Sequence, residues 1–272
     1  MARKRLAVAA AIAMLFTGAS PAAAYCAPAQ NVAVPAYFSP SPGAGLDAWN
    51  QLIDTTPAGG VVVFTVGNLG PGPTPDPDYQ DVVRRAQAKG IKAVCYVETL
   101  EANGVDVRPL ADAKRDIDRC FAQYQPAGIF LDEVQGTTAR LAGVRTLSAY
   151  VRQNHPNALR VLNAGQNTVE AYADISDILA IFEGPWSGSP VGYNYQDWQP
   201  DAWVASWIST HPNGASHFWH MAYATSAADL AAAVARSRTL QAGYVYVTDG
   251  TGDERWDHLP PYWQQEIDSV YD

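Results

Sequence analysis

Gly128-Ile129-Phe130-Leu131-Asp132-Glu133 is an apolar run that breaks off into two carboxylates. Short, continuously apolar stretches of this kind are how strands buried on both faces of a parallel sheet read. Working outward in both directions, the pattern recurs at 32–38, 61–67, 92–97, 160–163, 178–182, 217–222 and 244–247. With 128–132 these make eight strand-like runs. Helical segments at 46–52, 81–89, 110–124, 139–154, 169–172, 202–208, 227–241 and 262–271 alternate with them, the fifth being very short. Eight strands, each followed by a helix, in about 250 residues predict a single-domain α/β fold, a (β/α)8 barrel of the TIM type. An open doubly wound sheet would normally carry a Gly-rich phosphate loop after its first strand. Here that position reads Ala36-Tyr37-Phe38-Ser39-Pro40. The Pro/Gly-rich stretch 70–77 reads as one long loop after the second strand.

The two ends of the chain differ in kind. Arg3, Lys4 and Arg5 precede an apolar run at 6–16 and a small-residue stretch that closes with Ala22-Ala23-Ala24. Basic head, short apolar core and A-x-A-like end form a secretory signal peptide. The apolar run is too short for a spanning helix, which needs about 20 residues. The expectation is cleavage after residue 24 and a secreted, extracellular domain at 25–272, with no membrane contact after cleavage. Losing three positive charges takes the formal net charge from −9 to about −12. Such a chain repels nucleic-acid phosphates. A monomer is expected. The three cysteines allow one disulfide and one free thiol in an exported protein. Cys26 with Cys120 is the favoured bridge, and Cys95, inside a strand-like run, the buried thiol. No Cys or His pair has zinc-ligand spacing, so neither a metal nor another cofactor is expected. His217 and His220 stand three apart in a strand-like run and therefore face opposite ways.

In a barrel of this type the chemistry sits at the carboxyl ends of the strands. Those ends offer Tyr37, Asn68, Tyr96, Glu98, Asp132, Glu133, Asn163, Glu183, His220, Tyr223 and Asp249. The acids carry most information. Phe130-Leu131-Asp132-Glu133 and Ile181-Phe182-Glu183-Gly184 both run from an apolar strand into carboxylates. Glycoside cleavage commonly uses two carboxyl groups, one to protonate the leaving oxygen and one to attack the anomeric carbon or activate water. Strands four and six are one strand apart, which sets their backbones about 10 Å apart. Inward side chains close that to a working distance. Asp132 and Glu133 cannot both face the axis of a regular strand, so one is catalytic and the other supports it from the rim. Among the eight tryptophans, Trp186, in the Gly/Ser-rich loop after strand six, is the one expected to meet a sugar ring.

Several segments resemble the spherulin-4 family, in the same order, over roughly 32–183. They are Val34-Pro35-Ala36-Tyr37-Phe38, Gly70-Pro71-Gly72, Tyr96-Val97-Glu98-Thr99, Gly128-Ile129-Phe130-Leu131-Asp132-Glu133, Asn163-Ala164-Gly165 and Ile181-Phe182-Glu183. Characterised relatives are (β/α)8-barrel glycoside hydrolases that cleave α-1,4-galactosaminidic bonds in galactosaminogalactan-type exopolysaccharide. The resemblance implies similar chemistry here, on a polysaccharide partner. It places the family's Asp-Glu pair on Asp132 and Glu133 and its later acid on Glu183. Asp132 is then the nucleophile, expected to stay ionised beside Asn163 and Tyr96. Glu183 is the acid/base, expected to hold its proton beside Phe182 and Trp186, and Glu133 supports. Tyr37, Asn68, Tyr96, Glu98, Asn163, Trp186, His220, Tyr223 and Asp249 are the expected substrate contacts. Cys95 stands where relatives often have Gly, Ala164 where they often have Pro, and the 68–72 loop is shortened. Two readings stay open beside this one: a non-catalytic polysaccharide-binding surface protein, and a glycosidase for another sugar polymer.

Overall fold

The computed structural model describes residues 30–272. The expected signal segment and Cys26 lie outside the described residues. Eight parallel strands close into a barrel in sequence order: β1 (Asn31–Ala36), β2 (Val61–Phe64), β3 (Lys92–Glu98), β4 (Gly128–Asp132), β5 (Leu159–Asn163), β6 (Ile178–Pro185), β7 (Phe218–Tyr223) and β8 (Tyr244–Val247). The helical layer is α1 (Ala44–Thr55), α2 (Pro77–Ala88), α3 (Leu110–Tyr124), α4 (Thr138–Asn154), α5 (Ala202–Thr210), α6 (Leu230–Thr239) and α7 (Trp263–Tyr271).

Local chemistry explains the boundaries. Asp76 caps α2 by accepting from the Asp78 amide at 2.9 Å, with Pro77 in the first turn. On α3, Ala113, Ile117, Cys120 and Tyr124 fall on one buried stripe at helical spacing. Between β5 and β6 the chain has room only for a 3-10 segment, Glu170–Ile175, where a short helix is expected from the sequence. Helix α6 is shorter than the predicted 227–241 because its first turn starts only at Leu230. Gly128 is required for close approach: a Cβ there would lie 2.3 Å from the Leu159 carbonyl oxygen on β5. The apolar opening of the motif thus lets β4 sit tightly against its neighbour, below the carboxyl rim of the barrel.

The disulfide joins Cys95 on β3 to Cys120 on α3. This overturns the expected Cys26–Cys120 bridge and the free Cys95 thiol. The reason is strand alternation. Tyr96 and Glu98 face the barrel mouth, so Cys95 faces the helical layer, where the buried stripe of α3 delivers Cys120.

Candidate active site

The rim from β3 to β6 carries a connected polar cluster. Glu98 and Asp132 are register partners at the ends of β3 and β4. At the end of β5, the Asn163 side-chain amide donates to Asp132 Oδ1 at 2.8 Å and to Glu183 Oε2 at 2.8 Å. One nitrogen therefore clamps both carboxylates, and their accepting oxygens are at most about 5.6 Å apart, twice that bond length. Glu183 reaches this place through a register shift between β6 and β7 at Ala180/Phe182. Such bulges commonly re-aim a side chain beside an active site. Phe182 is turned the other way, packing 4.8 Å from the Tyr195 ring and 4.9 Å from that of Trp198. Gly165 lies over the pair in a left-handed conformation (φ 63°), and a Cβ there would stand 3.7 Å from Glu183 Oε2, inside the cleft.

Behind the pair, Glu98 is tied on both oxygens. It accepts from the Tyr96 hydroxyl on one and from the Thr99 and Leu100 amides, at 2.8 and 3.0 Å, on the other. With its carboxylate saturated and largely buried, Glu98 acts on the site through its charge rather than as an expected substrate contact. Thr99 carries the bracing onward: its hydroxyl donates to the carbonyls of Asp132 and Glu133 at 2.7 and 3.0 Å. Arg108, paired with Asp116 in the interior, donates to the Glu98 carbonyl at 3.2 Å and fixes that strand end.

The Asp132 carboxyl is raised well above the ordinary Asp value, first by burial and then by the charges of Glu183 and Glu98; the Asn163 hydrogen bond opposes the rise. This corrects the expectation that Asn163 and Tyr96 hold Asp132 ionised with a low value. Burial and three acids outweigh one amide donor. Tyr37, half-buried and edge-on to Tyr96 at 5.6 Å, is raised by burial and then by Asp132, Glu183, Glu98 and Glu133. Glu133 leaves the strand at φ 54°, and Gln135 and Gly136 follow at 61° and 60°. Glu133 thus stands past the last residue of β4, exposed, and lines the same small chamber as Asp132. Its carboxyl is raised by burial, Glu98 and Glu183, and lowered by Arg255.

Two chambers open from this rim. The smaller, of about 170 Å³, is lined by Asp132, Glu133, Asn163, Gly165, Gln166 and Glu183. The larger, of about 380 Å³, shares Gly165, Gln166 and Glu183 and adds Phe182, Tyr193 and Trp198. The remaining predicted contacts fall elsewhere. His220 is fully buried and faces the outer layer, its Nδ1 2.8 Å from the Tyr195 hydroxyl; burial lowers it to about 3, so it is neutral. It sits at the wrong parity on β7 to reach the mouth. Trp186 packs toward Tyr195 and lines neither chamber, which removes it from the expected contacts. Asn68 and Asp249 are exposed but line neither chamber, and Asp249 faces His258 at 3.4 Å. Tyr223 lies beneath the Arg255 guanidinium, 5.0 Å from its ring centre. Arg255 and Tyr193 are not found by reading strand ends, because both sit on loops. In 187–195 the only aromatics are Tyr193, which is exposed, and Tyr195, which is buried; two apart, they share a parity, so the sequence pattern does not separate them. Among the described residues, no group of three or more His, Cys, Asp or Glu side chains could hold a metal ion.

The sequence profile of the spherulation-specific family 4 (Spherulin4) matches residues 31–270. Spherulin-4 of Physarum polycephalum is 28% identical over 243 residues, covering 88% of this chain and 69% of its own length. Among solved structures, Aspergillus clavatus Sph3 in complex with GalNAc aligns with a TM-score of 0.70 at 22% identity, over 90% of this chain and 98% of Sph3. A class V chitinase from Pseudomonas fluorescens aligns at 0.59 and 14% identity, over 89% of this chain and all of its own. The barrel is thus one that glycoside hydrolases use.

Proposed function

The chain belongs to the spherulation-specific family 4, and from the geometry of its rim we propose that it is a secreted, retaining glycoside hydrolase that cuts within α-1,4-linked galactosamine- or N-acetylgalactosamine-containing polysaccharide. The observation that carries this reading is the Asn163 amide shared by Asp132 and Glu183. Retaining glycosidases set their carboxyl groups about 5–5.5 Å apart, whereas inverting ones leave about 6.5–9.5 Å for a water. A shared donor nitrogen keeps the two accepting oxygens within about 5.6 Å, which supports the shorter spacing.

The roles follow from position. Asp132 lines only the inner chamber, under the sugar whose bond is broken, and attacks its anomeric carbon. Glu183 stands where the two chambers meet and is the carboxyl that reaches the leaving oxygen. It gives that oxygen its proton, then takes one from the water that releases the sugar from Asp132. Asn163 is a positioning residue that holds both groups. Glu133 lines the inner chamber beside the pair, and Tyr37 and Tyr96 stand edge to face behind it, with the Tyr96 hydroxyl holding Glu98. The amino-sugar assignment draws on the family and on the GalNAc held by Sph3. Export draws on the signal-like residues 1–24 and is consistent with the Cys95–Cys120 bond, since disulfides persist in oxidising compartments. N-terminal sequencing of exported protein should begin at or near residue 25.

The test of function is a panel of galactosamine- and glucosamine-containing polymers and neutral polymers, with products read by mass spectrometry. Release of galactosamine-containing oligosaccharides is the expected result. Release from a different polymer alone would move the sugar assignment. Binding without any cleavage across the panel would replace the enzyme by a polysaccharide-binding protein.

A further inference from the structure

Tyr193 is 71% exposed, and its neighbour Val191 is 86% exposed. Free side chains on a mobile loop would explain little, but this loop is tied from several sides. The Asn194 side chain is itself buried, accepts from the Ser189 amide at 2.6 Å and donates to the Ser189 carbonyl at 2.8 Å. The Gly192 amide donates to Asp197 Oδ1 at 3.1 Å, and the Tyr193 amide to the Pro190 carbonyl at 3.0 Å. At its base, the Tyr195 amide donates to the Pro185 carbonyl at 2.8 Å, and Arg236 on α6 grips the carbonyls of Tyr195 and Trp198. The backbone that carries this exposed aromatic residue is therefore fixed, at the wall of the larger chamber. A ligand that covers the ring then has only the side chain to order, not the loop, so more of the contact goes into binding.

The larger chamber continues the smaller one through Gly165, Gln166 and Glu183, and contains neither Asp132 nor Asn163. We infer that it is a second sugar subsite, on the leaving-group side of the scissile bond, in which the C–H face of the next ring of the chain stacks on Tyr193 over a floor of Phe182 and Trp198. This rests on the glycosidase reading and adds the direction in which the polymer lies: the sugar under attack sits over Asp132, and the departing chain runs past Glu183 toward the β6 loop. The subsite selects for substrates that extend beyond the cleaved bond.

The test compares two substrates in Tyr193→Ala, Tyr193→Phe and the parent. One is the polymer identified by the panel. The other is the glycosyl fluoride of the same sugar, whose fluoride leaving group puts nothing in the second chamber. Tyr193→Ala should lower kcat/KM on the polymer by about tenfold, and Tyr193→Phe, which keeps the ring, should recover it to within about twofold. The loss should be confined to the substrate with a sugar leaving group. Equal loss on both substrates would make Tyr193 a support of the catalytic groups, and no loss on the polymer would leave the ring without a ligand; either result overturns the subsite. A parent inactive on every polymer and on the fluoride would instead defeat the glycosidase reading, and the subsite with it.

Discussion

Two regions of this barrel hold buried acids, and they do opposite things with them. Across the β3–β6 rim, Asp132 and Glu183 lie at the mouth, tied to each other through Asn163 and open to a cleft, with Glu98 held behind them by Tyr96. On the β7–β8 side, Glu266 of α7 is fully buried against the outside of the barrel. It accepts from the Val247 amide at 2.7 Å on one oxygen, and its other oxygen has no partner. Both Asp132 and Glu266 are raised well above ordinary carboxyls, and burial is the first cause in each. They differ in the second cause. Asp132 is pushed further by neighbouring charges, whereas Glu266 only gains a backbone donor that pulls it back. A perturbed carboxyl therefore marks a site only when a second acid and an open cleft share its environment. Alternation decides which side a group falls on, and it sends His220 to the helical layer just as it sends Asp132 to the mouth.

The strongest challenge to this contrast is to neutralise one acid in each region. Asp132→Asn and Glu183→Gln should each lower turnover by about a thousandfold or more, while Glu266→Gln leaves turnover within about twofold. Steady-state kinetics on the polymer checks all three. With a substrate carrying an activated leaving group, Glu183→Gln should keep its first glycosylation burst and Asp132→Asn should not. Equal activity of all three variants would erase the distinction between the regions.

A smaller effect refines the rim side. Attack by Asp132 needs its ionised form, so its raised value sets the acid limb of kcat/KM above the usual carboxylate range. Glu98→Gln removes one of the charges that raise it and preserves the oxygen that accepts from Thr99 and Leu100. The acid limb should then move to lower pH. Asn163→Ala removes the donor that lowers Asp132 and should move the limb to higher pH, with a loss in kcat from the unclamped pair. Full pH profiles of the two variants read this, and shifts in the same direction would refute it.

Two stability measurements address the other side. Cys95→Ala with Cys120→Ala opens a loop of 25 residues' separation and should cost about 3 kcal/mol in denaturant unfolding. For Glu266 the sign is that of a raised acid. The wild-type stability it contributes is complete below the ordinary Glu value and is lost as pH rises toward the folded value. Glu266→Gln has no such titration, so its unfolding free energy should gain on the parent as pH rises from about 5 to 8, by up to about 1 kcal/mol per pH unit. A gap that narrows with rising pH would contradict the assignment.

The barrel was legible because its strands are short apolar runs at regular spacing, and the two motifs ending in acids marked β4 and β6 directly. Asp132, Glu183 and Asn163 follow from the rule that chemistry sits at strand ends. The misplacements share one cause. His220 lies inside β7 and Trp186 just beyond β6, and which way they face depends on where each strand ends and on the β6 bulge, which a linear string does not fix. The disulfide failed for the same reason: Cys95 faces α3, and only the closed barrel brings the buried stripe of that helix to it. Arg255 and Tyr193 lie on long loops whose return paths are set by tertiary hydrogen bonds such as those of Asn194 and Arg236.

The central claim is that one amide holds two carboxyls at the spacing of a double-displacement enzyme. Proton NMR of the first product formed from the α-linked polymer tests it most directly, because the anomeric configuration is read before mutarotation mixes it. The account predicts that the newly released reducing end appears first as the α anomer. First appearance of the β anomer would mean direct attack by water, and would contradict a nucleophilic Asp132 clamped beside Glu183.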